Sequence, residues 1–196
     1  MRYDIVLAGV GGQGVLAGAA IIAETARREG LFVKQGEVHG MSQRGGAVSA
    51  NLRISDETIE SDLIPRGTAA MIWSLDPVEG LRWLEYLAPG GILVTSADPF
   101  VNIDDYPDID AVLDTVRDLP RGLLVPTAAL AREAGSGHAS NVVLIGAASA
   151  LLPLSEAELR RAVADFFAYK GEKVVGVNLR AFELGRQAAT GAASPA

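Results

Sequence analysis

The chain has 196 residues, enough for one domain with a full hydrophobic core, and its 49% apolar and 21% charged content is that of a globular protein. A net charge of −7 argues against general binding to nucleic acid or to an anionic membrane. The absence of cysteine excludes disulfides, thiolate chemistry and any Cys-ligated iron–sulfur cluster held by this chain.

The first apolar run, Ile5–Val10, reads as a strand close to the N-terminus, with no basic, apolar and small-residue signal pattern before it. No run approaches the roughly 18 uncharged apolar residues needed to span a bilayer. A cytoplasmic protein without membrane contact is therefore expected. A helix over Gln13–Arg28 follows, then strands at Leu31–Lys34, Ala47–Ile54 and Ala69–Leu75. Asp76-Pro77-Val78-Glu79 opens the next helix, Pro77–Leu87, with an N-cap Asp, a Pro at the first helical position and a carboxylate at N3. A strand at Ile92–Thr95 leads into Ala97–Pro107, a surface loop rich in Asp, Pro and Asn, and Leu123–Pro126 is the last strand. Helices are expected over Ala128–Ala134, Ala139–Leu152, Glu156–Tyr169 and Asn178–Ala189. In the third of these, Ser155-Glu156-Ala157-Glu158 has the form of a capping box, and Leu159, Ala162, Val163, Phe166 and Phe167 make one apolar stripe for the core. Residues 190–196 are small and polar and read as a flexible tail.

This alternation predicts an α/β fold: a single three-layer α/β/α domain over residues 1–189, Rossmann-like, with a mixed, largely parallel sheet covered on both faces.

Two glycine-rich segments could carry chemistry. The first is "AGVGGQGVLAGAA", Ala8–Ala20, in which Gly9, Gly11 and Gly14 have the spacing G-x-G-x-x-G between a strand and a helix. Glycine lets the backbone take positive φ and approach a ligand, and the helix N-terminus presents N–H groups to an anion. A dinucleotide site also needs an acidic residue about 20 positions on to hold the ribose, and Glu37 lies near that distance. A phosphate cradle for another ligand is a second reading. A third is packing alone, since Gly12, Gly14, Ala17, Gly18, Ala19 and Ala20 would equally let the helix approach the sheet.

The second segment is "GEVHGMSQRGGAVSANLRIS", Gly36–Ser55. Gly45-Gly46 allows a tight turn, Gln43 can donate or accept, and Arg44 can grip a phosphate or carboxylate with two parallel hydrogen bonds. The bland alternative pairs Arg44 with a structural carboxylate. His39 reads more readily as a structural histidine than as a base, and with His138 it forms no metal-ligand spacing.

Together, "GVGGQG" and "EVHGMSQRGG" resemble the gamma-type domain of the 2-oxoacid:ferredoxin oxidoreductases. "NVVLIGA", Asn141–Ala147, and "NLRAFELG", Asn178–Gly185, follow in the family's style and order, so the resemblance spans nearly the whole chain. Within the family the likeness is to the small beta subunit of indolepyruvate:ferredoxin oxidoreductase. The resemblance implies a non-redox subunit, inactive alone, in a complex that converts a 2-oxoacid and coenzyme A to an acyl-CoA, carbon dioxide and reduced ferredoxin. Indolepyruvate or another aryl pyruvate is the implied substrate; pyruvate, 2-oxoglutarate and branched-chain 2-oxoacids are alternatives. Thiamine diphosphate, magnesium and the iron–sulfur clusters would sit in a large alpha subunit, with ferredoxin met through the complex and a dimer of heterodimers as one arrangement. By the same resemblance Gly9, Gly11, Gly12, Gln13 and Gly14 would bind coenzyme A at a shared site. Ser42, Gln43, Arg44, Gly45 and Gly46 would form the neighbouring site or a subunit-contact loop. An independent NAD-dependent dehydrogenase and a purely structural assembly subunit remain open rivals. The chain shows no G-D-G with paired asparagines for thiamine diphosphate and no Ser/His/Asp spacing for a hydrolase.

Overall fold

The computed structural model describes residues 1–39, 45–101 and 105–192. In chain order these form β1 (Arg2–Val10), α1 (Val15–Arg28), β2 (Phe32–His39), β3 (Ala47–Ser55), β4 (Ala69–Ser74), α2 (Pro77–Arg82), β5 (Leu87–Ser96), α3 (Ile109–Arg117), β6 (Gly122–Val125), α4 (Thr127–Ala134), α5 (Ser140–Ala148), α6 (Glu156–Phe167) and α7 (Glu172–Ala192). The strands make one sheet in the order β2-β3-β1-β4-β5-β6. Strands β1, β4, β5 and β6 run parallel as neighbours. Strand β3 is antiparallel to both β1 and β2, which makes the sheet mixed.

Side chains alternate between the two faces of a strand, and this period of two sorts the core. Ile5 and Leu7 of β1, Met71 and Trp73 of β4, and Ile92 and Val94 of β5 pack on one side with α1, α4, α5, α6 and α7. Val6, Ile72 and Leu93 point the other way, against Leu81 of α2, Val116 of α3 and Ile64. The result is the expected three-layer α/β/α domain. Among the described residues no helix is long and apolar enough to cross a membrane.

Local signals explain most boundaries. Asp76 caps α2, its Oδ1 accepting the Glu79 N–H at 3.0 Å, with Pro77 in the first turn. Leu159, Ala162, Val163 and Phe167 are buried along α6, and Phe166 packs partly buried beside them. The expected capping box is absent, however: the Ser155 side chain makes no cap bond, and its N–H donates instead to Glu29 Oε1 at 2.7 Å. A carboxylate at the end of α1, in the same layer, replaces the one three residues along.

Other elements differ from expectation. Helix α2 stops at Arg82, because Leu87 is drawn into β5 opposite Ala69; Leu84–Tyr86 make one 3-10 turn between. Helix α7 begins at Glu172, since Gly176 faces open space and is tolerated inside it, and it continues to Ala192 into the segment read as a tail. Helix α3 was not expected. Its apolar residues Ile109, Val112, Leu113 and Val116 share one face over only nine residues, Val112 and Val116 being buried, and Asp108 starts it by accepting the Ala111 N–H at 3.0 Å.

Candidate functional site

The site is built where β1 and β4 end side by side. Helix α1 leaves the end of β1 toward one face of the sheet, and α2 leaves the end of β4 toward the other. Such a reversal opens a crevice at the carboxyl ends of the strands, the usual ligand position in open α/β sheets.

Gly14 is the N-cap of α1, at φ 92° and ψ 30°. It offers no side chain to the helix N-terminus, and the first turn of α1 holds no acidic residue. The leading N–H groups of α1 therefore carry the positive end of the helix dipole without a capping side chain. Gly12, at φ 103°, would point a Cβ where no atom of the described residues lies within 4 Å. A Cβ on Gly9 would lie 2.8 Å from Val15 Cγ2 and 2.9 Å from Gln13 Oε1. Gly9 thus lets the loop fold tightly over the strand end, while Gly12 leaves its outer side clear.

The structure brings the two glycine segments together. The Gly11 N–H donates to Gly46 O at 2.8 Å, and the Gly45 N–H donates to Gly11 O at 3.4 Å. These bonds carry the β1–β3 ladder beyond Val10 and Ala47. Ser42, Gln43 and Arg44 lie outside the described residues.

Gln13 does its work inside the protein. Its Oε1 accepts the Val10 N–H at 2.7 Å, and its Nε2 donates to Leu75 O at 3.0 Å. The side chain therefore ties the end of β1 to the end of β4. Glu37 does not occupy a ribose position: β3 lies between β2 and β1, and the Glu37 carboxylate accepts from Gln35 Nε2 at 2.7 Å. The spacing matched a dinucleotide fold, but the inserted antiparallel strand moves that acid one strand outward.

Three neighbouring residues have partners that the sequence reading does not foresee; of these, only Asp76 is read as a cap. Asp76 is 1% exposed, and its Oδ2 accepts from the Phe100 N–H at 2.8 Å and the Tyr106 hydroxyl at 3.0 Å, in addition to its cap bond. Burial and the facing Asp76 carboxylate push the Tyr106 phenol well above its ordinary range, so it stays a donor. Asp98 accepts the Ala128 N–H at 2.7 Å and the Thr127 hydroxyl at 3.2 Å, capping α4 from the loop after β5. Asn141, the third, opens α5 and donates from Nδ2 to Gly14 O at 3.4 Å. Strand-end Asp residues in "SLDPVEG" and "TSADPF" are the signal for the first two. Asn141 begins the segment "NVVLIGA", but nothing local announces its bond to Gly14. Among the described residues, no three His, Asp or Glu side chains converge as metal ligands.

Residues 4–188 match the family model described as pyruvate ferredoxin/flavodoxin oxidoreductase. Indolepyruvate oxidoreductase subunit IorB of Thermococcus kodakarensis is 40% identical over 198 residues, covering 96% of each chain. Among solved structures, a keto/oxoacid ferredoxin oxidoreductase gamma subunit from Geobacter sulfurreducens superposes with a TM-score of 0.70 at 26% identity, over 96% of this chain and 99% of that one. The 2-oxoglutarate:ferredoxin oxidoreductase of Magnetococcus marinus, solved with 2-oxoglutarate, coenzyme A and succinyl-CoA bound, gives 0.77 at 27% identity. That match covers all of this chain but only 32% of the Magnetococcus chain. By family model, sequence and fold, this chain belongs to the pyruvate ferredoxin/flavodoxin oxidoreductase family, as a domain of the gamma type.

Proposed function

We propose that this chain is the small, non-redox subunit of an indolepyruvate or aryl-pyruvate ferredoxin oxidoreductase, and that its glycine loop cradles a phosphate of coenzyme A. The observation that carries the reading is the N-terminus of α1, which among the described residues has no capping side chain, no carboxylate in its first turn, and no atom within 4 Å of a Cβ built on Gly12. Anions are favoured at such an end by the helix dipole and by its unpaired N–H groups. The likeness to IorB supports the substrate class, and the coenzyme A in the Magnetococcus structure supports the ligand.

In this proposal the residues divide their tasks. Gly14 supplies the cap geometry, Gly9 and Gln13 seat the loop on the strand ends, and Gly11 ties it to Gly45 and Gly46. Ser42, Gln43 and Arg44 would add donors to the neighbouring site. A large alpha subunit with thiamine diphosphate, magnesium and iron–sulfur clusters would supply decarboxylation and electron transfer to ferredoxin. This chain, without cysteine, positions the acyl acceptor.

Gly12→Ala tests the cradle, with Gly30→Ala as its control. Both glycines have positive φ and open surroundings, so each substitution costs about 1 kcal/mol in backbone strain. In a complex reconstituted with the large subunit, Gly12→Ala should raise the apparent KM for coenzyme A severalfold, leaving that for the 2-oxoacid unchanged. Gly30→Ala should change neither. An equal rise in both constants, or failure of the Gly12 variant to assemble, would mean that the loop is a packing device.

A further inference from the structure

Asn141 is 5% exposed, and the seven residues after it in α5, Val142–Ala148, are all buried. A buried amide in such a place is costly unless it is hydrogen-bonded. Thr25, Ser149 and Asn178, equally buried, meet that need locally by bonding Ile21 O, Gly146 O and Val174 O. Asn141 instead reaches another element. Its Oδ1 accepts the Val142 N–H at 2.9 Å, which fixes the orientation of the amide, and its Nδ2 donates to Gly14 O at 3.4 Å across 127 residues of sequence. The second amide hydrogen has no acceptor among the described residues.

The acceptor matters. Gly14 O is the first carbonyl of α1, already bonded by the Gly18 N–H at 3.1 Å. A Cβ on Gly14 would lie 2.7 Å from Asn141 Nδ2, so the bare N-cap and the amide are fitted to each other. Helix α5 also begins here, and Ala139 at its N-cap makes no side-chain bond while its first turn holds no acidic residue. Two helix N-termini therefore meet with a buried amide between them.

We propose that Asn141 is a positioning residue for coenzyme A: its carboxamide holds Gly14, and through it the open end of α1, in the conformation that receives a phosphate. This rests on the coenzyme A reading above.

The test uses the complex reconstituted with the large subunit, carrying Asn141→Asp or Asn141→Ala. The Asp variant keeps the size and the acceptor for Val142 N–H, but turns an oxygen toward Gly14 O and places a negative charge beside the helix ends. The apparent KM for coenzyme A should rise roughly tenfold in Asn141→Asp and roughly threefold in Asn141→Ala, with kcat and the KM for the 2-oxoacid little changed. Hydrogen exchange should quicken at the amides of Gly11–Leu16 and stay slow at Ile21–Ala26. If Asn141→Asp does not assemble, Asn141→Ala carries the same readouts. Unchanged exchange at Gly11–Leu16 overturns the proposal, as does protection lost evenly over α1 and α5 with a lower melting temperature. Faster exchange with an unchanged KM for coenzyme A overturns it as well. Gly12→Ala separates the two readings: if it alone raises the KM for coenzyme A, only the role of Asn141 falls. If neither position affects that KM, the coenzyme A reading falls and takes this proposal with it.

Discussion

At the scale of single residues, Gln13 shows how a loop of glycines is kept from being merely loose. Gln13→Ala would leave the Val10 N–H and Leu75 O without their partner. Each unsatisfied group costs about 1–3 kcal/mol where water cannot replace the bond, and water reaches this half-buried site in part. A loss of about 1–3 kcal/mol in chemical unfolding of the isolated chain is expected; a stability equal to that of the parent would show that the clamp is idle. The glycines themselves were legible, because positive φ and close approach leave a mark in the sequence wherever they occur. The destination of the Gln13 side chain was not, since Leu75 lies 62 residues away and nothing local announces it. The same holds for Asn141 and Gly14, and for Asp98 and Ala128. Side-chain bonds between distant strand ends exist only once the sheet order is fixed.

At the scale of elements, the strands and most helices could be read because the central strands, buried on both faces, are short continuous apolar runs, while surface helices such as α6 carry one apolar stripe. The failures are equally physical. Helix α3 carries a helical period in Ile109, Val112, Leu113 and Val116, but it spans only nine residues, short of the roughly 11–18-residue window over which such a period stands out. Strand β2 runs on to His39 because in-register pairing with β3 holds Gly36, Glu37 and Val38 in the sheet against their poor strand propensity as a group. The packing alternative for the glycine segment also has its place: a Cβ on Gly18 would come 2.7 Å from Trp73 Cη2, so this glycine seats α1 on the sheet. One long-range tie gives a pH prediction. Tyr3, near the start of β1, donates its hydroxyl to Leu151 O at 2.8 Å, joining the strand to the turn between α5 and α6. Burial raises the Tyr3 phenol from 10.0 to about 12, with the Arg121 charge opposing. A group whose folded pKa is raised contributes stability below its unfolded value and loses it as pH climbs to the folded one. The Tyr3 contribution should therefore be intact below pH 10 and fade between pH 10 and about 12. Tyr3→Phe should cost about 1 kcal/mol at neutral pH and flatten the decline across that window. A parent and variant with parallel stability curves through the alkaline range would rule this out.

At the scale of the whole molecule, the question is what a domain of this kind does when it stands alone. The same fold is about a third of the Magnetococcus chain and nearly the whole of the IorB chain. A face that is held within one chain in the first case must, on the proposed function, be an interface between chains here. Val38, 65% exposed, and Val101, 66% exposed, flank the strand ends, and Phe100 is anchored there through its N–H to Asp76. A free subunit binds its partner by mass action, so the complex should dissociate on dilution where a fused enzyme would not. The chemistry points the same way. Without cysteine, this chain cannot hold a Cys-ligated iron–sulfur cluster of its own. The isolated subunit, given indolepyruvate, coenzyme A and a dye acceptor, should therefore reduce no dye. Adding it to a fixed amount of large subunit should raise coenzyme A-dependent dye reduction until the sites are filled, and diluting the mixture should lower the activity per mole. Robust turnover by the small subunit alone would end the assignment. Activity per mole that ignores dilution well below micromolar concentrations would instead mean that the interface is tight enough to behave as a single chain.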